Sequence, residues 1–200
     1  AELRVELPPE EIDGEFEDIT RDEPEERREE YKRRLSRLEA VLGDPERLER
    51  LAQDIVQHFE ARCRELPGKG MIVCASRRLC VELYRKIVAI RPEWHSDSDE
   101  EGAIKVVITG SASDPPDWQP HIRDAQRLER LRERFQDSGS SLRLVVVCSM
   151  WLTGFDCPSL HTMYIDRLLR GHTLMQAIAR VNRVFKSKHA GLVVDYIGLL

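Results

Sequence analysis

Residues Leu142–Ser149 read "LRLVVVCS". Apart from Arg143 and the terminal Ser149 the run is apolar, with three successive valines whose β-branched side chains favour a pleated strand. A strand with one wet face would alternate apolar and polar residues. This one does not, so both of its faces are expected to be buried, as in a parallel sheet with helices on either side.

Working outward, the same grammar recurs. "MIVCA" (Met71–Ala75), "GAIKVVIT" (Gly102–Thr109), "HTMYID" (His161–Asp166) and "GLVVDYI" (Gly191–Ile197) read as further strands. Helical periods separate them. "RRLCVELYRKIVAI" carries Leu79, Leu83, Ile87 and Ile90 on one face, and "HIRDAQRLERLRERFQD" is a charged amphipathic helix. "HTLMQAIARVNRVF" opens near Thr173 and is expected to run as one helix. Strands interleaved with helices give an α/β fold with a mainly parallel sheet.

Upstream the pattern is helical from Glu23. Tyr31, Leu35, Leu38 and Val41 or Leu42 recur at helical spacing, and Gly43 stops the run. Asp44 then caps a second helix with Pro45 in its first turn, and Leu48, Leu51, Ile55, Phe59 and Cys63 form its apolar face. "PGKG" (Pro67–Gly70) ends it. Ala1–Asp22 is acidic and Pro-rich, with "LRVEL" (Leu3–Leu7) a candidate short strand. The expected division is an arm over 1–22, connector helices over 23–68 and a sheet domain over 69–200.

The chain has 200 residues, 41% hydrophobic and 34% charged, with net charge −5. Residues 1–30 hold 14 acids and 4 bases, while the remainder holds 22 acids and 27 bases. The body is therefore mildly basic and suited to meeting a polyanion. No apolar run approaches the roughly 20 residues of a membrane span, and the N-terminus lacks a signal-peptide pattern. The chain begins with Ala, which suggests a piece of a longer polypeptide. Five cysteines, with no CxxC, fit a reducing cytoplasm better than a disulfide framework or a zinc site. The six histidines show no metal-ligand spacing, so no metal site is expected.

In open parallel sheets ligands sit at the C-terminal ends of the strands. There the sequence places Ser76–Arg78, Thr109–Ser111, Met150–Asp156 and Asp166–Arg167, followed by a helix bearing Gln176, Arg180 and Arg183. Hydroxyls, glycines and arginines are what a phosphate-rich ligand needs. Yet no GxxxxGK[ST] loop occurs to cradle a triphosphate, and no GxGxxG, HExxH or GxSxG. The main nucleotide pocket must come from another segment.

"VVVCSMWLTGFDCPSLHTMYIDR" followed by "LMQAIARVNR" resembles motifs V and VI of superfamily 2 helicases. With "GLVVDYIG" closing the run, the set most closely resembles the motor (R or HsdR) subunit of type I restriction enzymes. "MIVCASRRLCVELY" is similar to motif IV of that family, "VVITGSASD" to the segment after it, and "DIVQHFEARC" to the connector leading into the second motor domain. Where the family often has Asp before the Met of motif V, Ser149 stands here.

The resemblance implies the second of two RecA-like domains that close on ATP and Mg²⁺, most of whose ligands lie on the first. Arg183 would be the arginine finger and Arg180 a second γ-phosphate contact, with Gln176, Gly154 and Asp156 also on the nucleotide side. Thr153, Ser76, Arg77, Thr109 and Ser111 would contact the backbone of double-stranded DNA. Gln176, Arg180 and Arg183 are expected on one helical face. Implied partners are the first motor domain of the same chain and the methyltransferase and specificity subunits of a cytoplasmic complex, with no membrane.

Plainer readings stand beside these. The two arginines could form a surface salt-bridge stripe, Ser76 and Asp156 could be helix caps, and Trp94, Trp118 and Trp151 could be packing residues. At the level of the whole chain, the rivals are another superfamily 2 motor, a Rossmann-type enzyme and a non-catalytic scaffold.

Overall fold

The computed structural model describes residues 37–111, 114–152, 154–169, 171–185 and 190–197. The arm over 1–22, Tyr31, Leu35 and Thr153 lie outside them. After a helical segment over 37–42 come α1 (Pro45–Glu65), β1 (Lys69–Cys74), α2 (Arg77–Ile90), β2 (Ile104–Val107), α3 (Ala125–Gln136), β3 (Leu144–Val147), β4 (Leu160–Asp166), α4 (Gly171–Val181) and β5 (Leu192–Asp195). "PDWQPH" (Pro116–His121) forms a short 3-10 helix.

The five strands pair in the order β2-β3-β1-β4-β5, and every pairing is parallel. Residues of the first four strands are buried along their full length, which is why "LRLVVVCS" shows no alternation. β5, at the sheet edge, is half-buried.

Two layers cover the sheet. On one face Leu48, Ile55 and Phe59 of α1 and Leu79, Leu83 and Ile87 of α2 pack with Ile72, Val106, Val146 and Tyr164. The Asp44 side chain caps α1 by accepting from the Arg47 amide at 2.8 Å, with Pro45 in the first turn. The helix assigned to the connector is thus a structural layer of the sheet. On the other face Leu131 and Phe135 of α3 and Ala177 and Val181 of α4 pack with Met71, Val73, Val145, Val147 and Met163.

Successive parallel strands of one sheet need a crossover of about a dozen residues or more, usually a helix. Between β3 and β4 the described crossover residues form no α-helix. Trp151, Leu152, Phe155 and Cys157 fill that place in the second layer with side chains.

The last helix is shorter than its sequence period implies. α4 ends at Val181, and the Asn182 amide closes the final turn on the Ile178 carbonyl at 3.1 Å. Gly191 lies so close to that end that a Cβ on it would meet the Val181 carbonyl oxygen at 2.1 Å. The chain entering β5 therefore crosses the helix terminus. Arg183 lies beyond the helix, and the expectation of one helical face for Gln176, Arg180 and Arg183 is corrected on this point.

Candidate functional site

Because all strands are parallel, the ends of β1 to β4 bring their following loops to one edge of the sheet. Two clusters form there. The first gathers Ser76, Arg77, Thr109 and Ser111. Ser76 caps α2, accepting from the Leu79 amide at 3.3 Å, and donates to Glu39 Oε1 at 2.6 Å. It is only 6% exposed. The cap reading is realised, and Glu39 covers the hydroxyl.

Arg77 donates to both carboxylate oxygens of Asp114, at 2.8 and 2.7 Å, and to the Thr109 carbonyl at 3.1 Å. Its guanidinium stands 5.4 Å from the Trp118 ring. The Ser111 amide donates to Asp114 Oδ2 at 2.6 Å. Arg77 and Asp114 are both nearly buried, so this arginine braces the turn. Thr109 and Ser111 are exposed at the turn's rim. Sequence reasoning missed Asp114, although an Asp before Pro-Pro is a turn-building signal.

The second cluster joins the β3–β4 crossover to α4. Arg180 donates through Nε to the Leu152 carbonyl at 3.3 Å and through a terminal nitrogen to the Phe155 carbonyl. Arg183 donates to Asp156 Oδ2 at 2.7 Å, and both side chains remain about half exposed. Asp156 caps no helix. Gln136 Nε2, at the end of α3, donates to the Asp156 carbonyl at 2.6 Å, and Arg167 donates to the Cys148 carbonyl at 2.8 Å. Gln136 carried no motif signal and was missed. Gln176 is half-buried on α4, next to the fully buried Ala177.

The crossover backbone is unusual. Gly154 has φ +65°, and a Cβ on it would meet nothing within 4 Å, so its backbone is open to close approach. Trp151 has φ +66°, the sole positive φ at a non-glycine among the described residues. A left-handed L-residue costs roughly 1–2 kcal/mol. Stacking holds it there: Trp151 lies 5.0 Å from Phe155 at 8°, and Phe135 lies 5.9 Å from each. Such ring pairs contribute about 0.5–1.5 kcal/mol each beyond burial, enough to offset the strain. Trp94, Trp118 and Trp151 are all buried, as packing residues.

Chemically the second cluster presents groups that can meet an anion. It offers a half-exposed guanidinium and an accessible glycine backbone, which fit a polyphosphate brought from outside. Among the described residues no three His, Cys, Asp or Glu side chains come together to hold a metal ion. No helix among them is long and apolar enough to cross a membrane.

Residues 119–198 match the family described as Type I restriction enzyme subunit R domain 3. The HindI endonuclease subunit of the type I restriction enzyme of Haemophilus influenzae is 54% identical over 164 residues, covering 80% of this chain and 16% of that one. In Methanocaldococcus jannaschii, the chain designated MjaIXP endonuclease subunit is 43% identical over 192 residues, covering 94% of this chain and 18% of that one. The chain therefore spans about a sixth of the length of these relatives.

Among solved structures, a fragment assigned to an HsdR subunit from Vibrio vulnificus YJ016 superposes with TM-score 0.52 at 14% identity, over 78% of this chain and 28% of that one. T4 UvsW superposes with TM-score 0.50 at 13% identity, over 90% of this chain and 29% of that one. At such identities the likeness is one of fold, a RecA-like α/β domain with a mainly parallel sheet.

Proposed function

We propose that this chain, which belongs to the R-subunit family of type I restriction enzymes, is the second RecA-like half of an ATP-driven translocase on double-stranded DNA. The observation that carries the reading is the junction at Asp156. There the loop resembling motif V accepts from Arg183 in its side chain, while Arg180 binds the Phe155 carbonyl beside it. A loop suited to a DNA backbone and a pair of arginines suited to phosphate are thus in direct contact.

ATP and Mg²⁺ would be held mainly by the first motor domain of the same chain, whose Walker loop this sequence lacks. When bound, the nucleotide supplies the phosphoryl group attacked in line by water. The residues of this chain act on charge and position. Arg183 would stabilise the charge spreading over the γ-phosphate oxygens, with Arg180 and Gln176 beside it. Gly154 would let backbone approach closely, and Asp156 would take Arg183 back when the cleft opens. Thr153, Thr109 and Ser111 would meet DNA phosphates, which position the duplex without reading its sequence. Ser76 and Arg77 act in this scheme by shaping that edge. In the cytoplasm the parent subunit would work with methyltransferase and specificity subunits.

The isolated chain is expected to hydrolyse no ATP. In the intact R subunit, Arg183→Ala should lower ATP turnover by about 10³–10⁵, the worth of an arginine finger. Wild-type ATPase and translocation in that variant would overturn the assignment.

A further inference from the structure

We propose that Gln136 and Phe135, in the last turn of α3, are positioning residues for the 154–157 segment when it engages duplex DNA. The inference rests on the function proposed above and extends it to a helix outside every helicase-like motif.

The segment is gripped from two sides. On one side stand Arg180 and Arg183, the groups read as phosphate ligands. On the other stands α3. Gln136 Nε2 donates to the Asp156 carbonyl at 2.6 Å. The Phe135 ring stacks on Phe155 at 5.9 Å and 22°. The Phe135 carbonyl accepts from Cys157 Sγ at 3.6 Å, and the Arg132 guanidinium lies 5.9 Å from the Phe155 ring. Three consecutive residues, Phe155, Asp156 and Cys157, are thus fixed by one helical turn.

The two grips differ in kind. Arg183 would be drawn to phosphate whenever nucleotide closes the cleft, and Asp156 would then lose its side-chain partner. α3 has no such competitor, because Leu131 and Phe135 anchor it in the core at 1% and 0% exposure. The α3 contacts therefore decide where the segment stands once the arginines leave. That is the moment at which DNA must be held. The strained Trp151 backbone supports this reading. Its ring packs against both Phe135 and Phe155, which also stack on each other, so the α3 contact also fixes the upstream limb of the crossover.

The test is Gln136→Met in the full-length R subunit, which keeps the length of the side chain and removes the donor. Glu133→Gln, on the exposed side of the same turn, is the control. Two readouts are taken: ATP hydrolysis as a function of duplex concentration, and amide exchange of residues 154–157. The expected result is a rise of about three- to tenfold in the half-saturating duplex concentration, the worth of one hydrogen bond. The rate at saturating duplex should be little changed, exchange over 154–157 should be faster, and the thermal midpoint should match the control. An unchanged duplex dependence overturns the positioning role, whether or not exchange is faster. If the wild-type subunit shows no duplex-stimulated hydrolysis, the proposed function fails. The clamp is then judged by exchange alone: faster exchange in Gln136→Met supports it and equal exchange overturns it.

Discussion

Arg47, in the first turn of α1, holds the carboxylate of Asp166 at the C-terminal end of β4. It donates through one nitrogen to Oδ2 at 3.2 Å and through the other to Oδ1, and also reaches the Leu42 carbonyl at 3.0 Å. Asp166 is only 1% exposed. The fork keys the helix before the sheet to the edge where the candidate site lies. Breaking it strands a buried carboxylate, so Arg47→Met should destabilise the chain by about 3–5 kcal/mol. Adding Asp166→Asn should recover part of that loss. Urea midpoints over the double-mutant cycle check both, and additive single effects would deny the coupling.

Most of the architecture was legible because a parallel sheet writes continuous apolar runs. Ile72, Val146 and Tyr164 are buried wherever they fall in register. Long-range polar partnerships left no such trace. Arg47 and Asp166 lie far apart in sequence, and although Asp166 falls at the expected strand end, nothing in the pattern names Arg47 as its partner. Gln136 looks like any helix-end Gln. The end of α4 was misjudged for a related reason. The apolar period runs on through Val184, and the packing of Gly191 on Val181 stops the helix.

Gly154 and Gly191 should respond differently to a methyl group. At Gly154 the Cβ finds open space, so Gly154→Ala carries only the left-handed backbone cost, about 1–2 kcal/mol. At Gly191 the Cβ would strike Val181 backbone at 2.1 Å, and neither partner can rotate away. Thermal midpoints should fall modestly for Gly154→Ala and further for Gly191→Ala. The reverse order would contradict the described helix end.

Alkaline stability should pass through a maximum. Burial pushes the Lys69 and Lys105 ammonium groups down from 10.5 to about 8. Between about pH 8 and 10.5 the unfolded chain binds protons that the folded chain does not, so stability rises with pH. Burial pushes the Tyr84 hydroxyl up from 10.0 to about 12 and raises Tyr164, Tyr196 and the Cys63 thiol as well. The unfolded chain loses those protons first, and stability falls again at higher pH. Lys69→Met should flatten the rising limb. Urea unfolding at a series of pH values measures both, and a monotonic fall above pH ~8 would count against the lysine assignment.

Arg180 and Arg183 should separate when stability and catalysis are measured apart. Arg180 spans two backbone carbonyls of the crossover, and hydrogen bonds from a charged donor contribute about 1.5–3 kcal/mol. Arg183 makes a half-exposed ion pair with Asp156, a class that contributes about 0–1 kcal/mol. In this chain alone, Arg180→Ala should therefore lower the urea midpoint while Arg183→Ala leaves it nearly unchanged. In the intact R subunit both should lose ATP turnover. Arg183→Lys should recover little of it, because an ammonium cannot present two parallel donors to spreading oxygen charge. If Arg183→Ala instead cost stability and spared turnover, the pair would be a structural stripe, and the arginine-finger reading would fall with it.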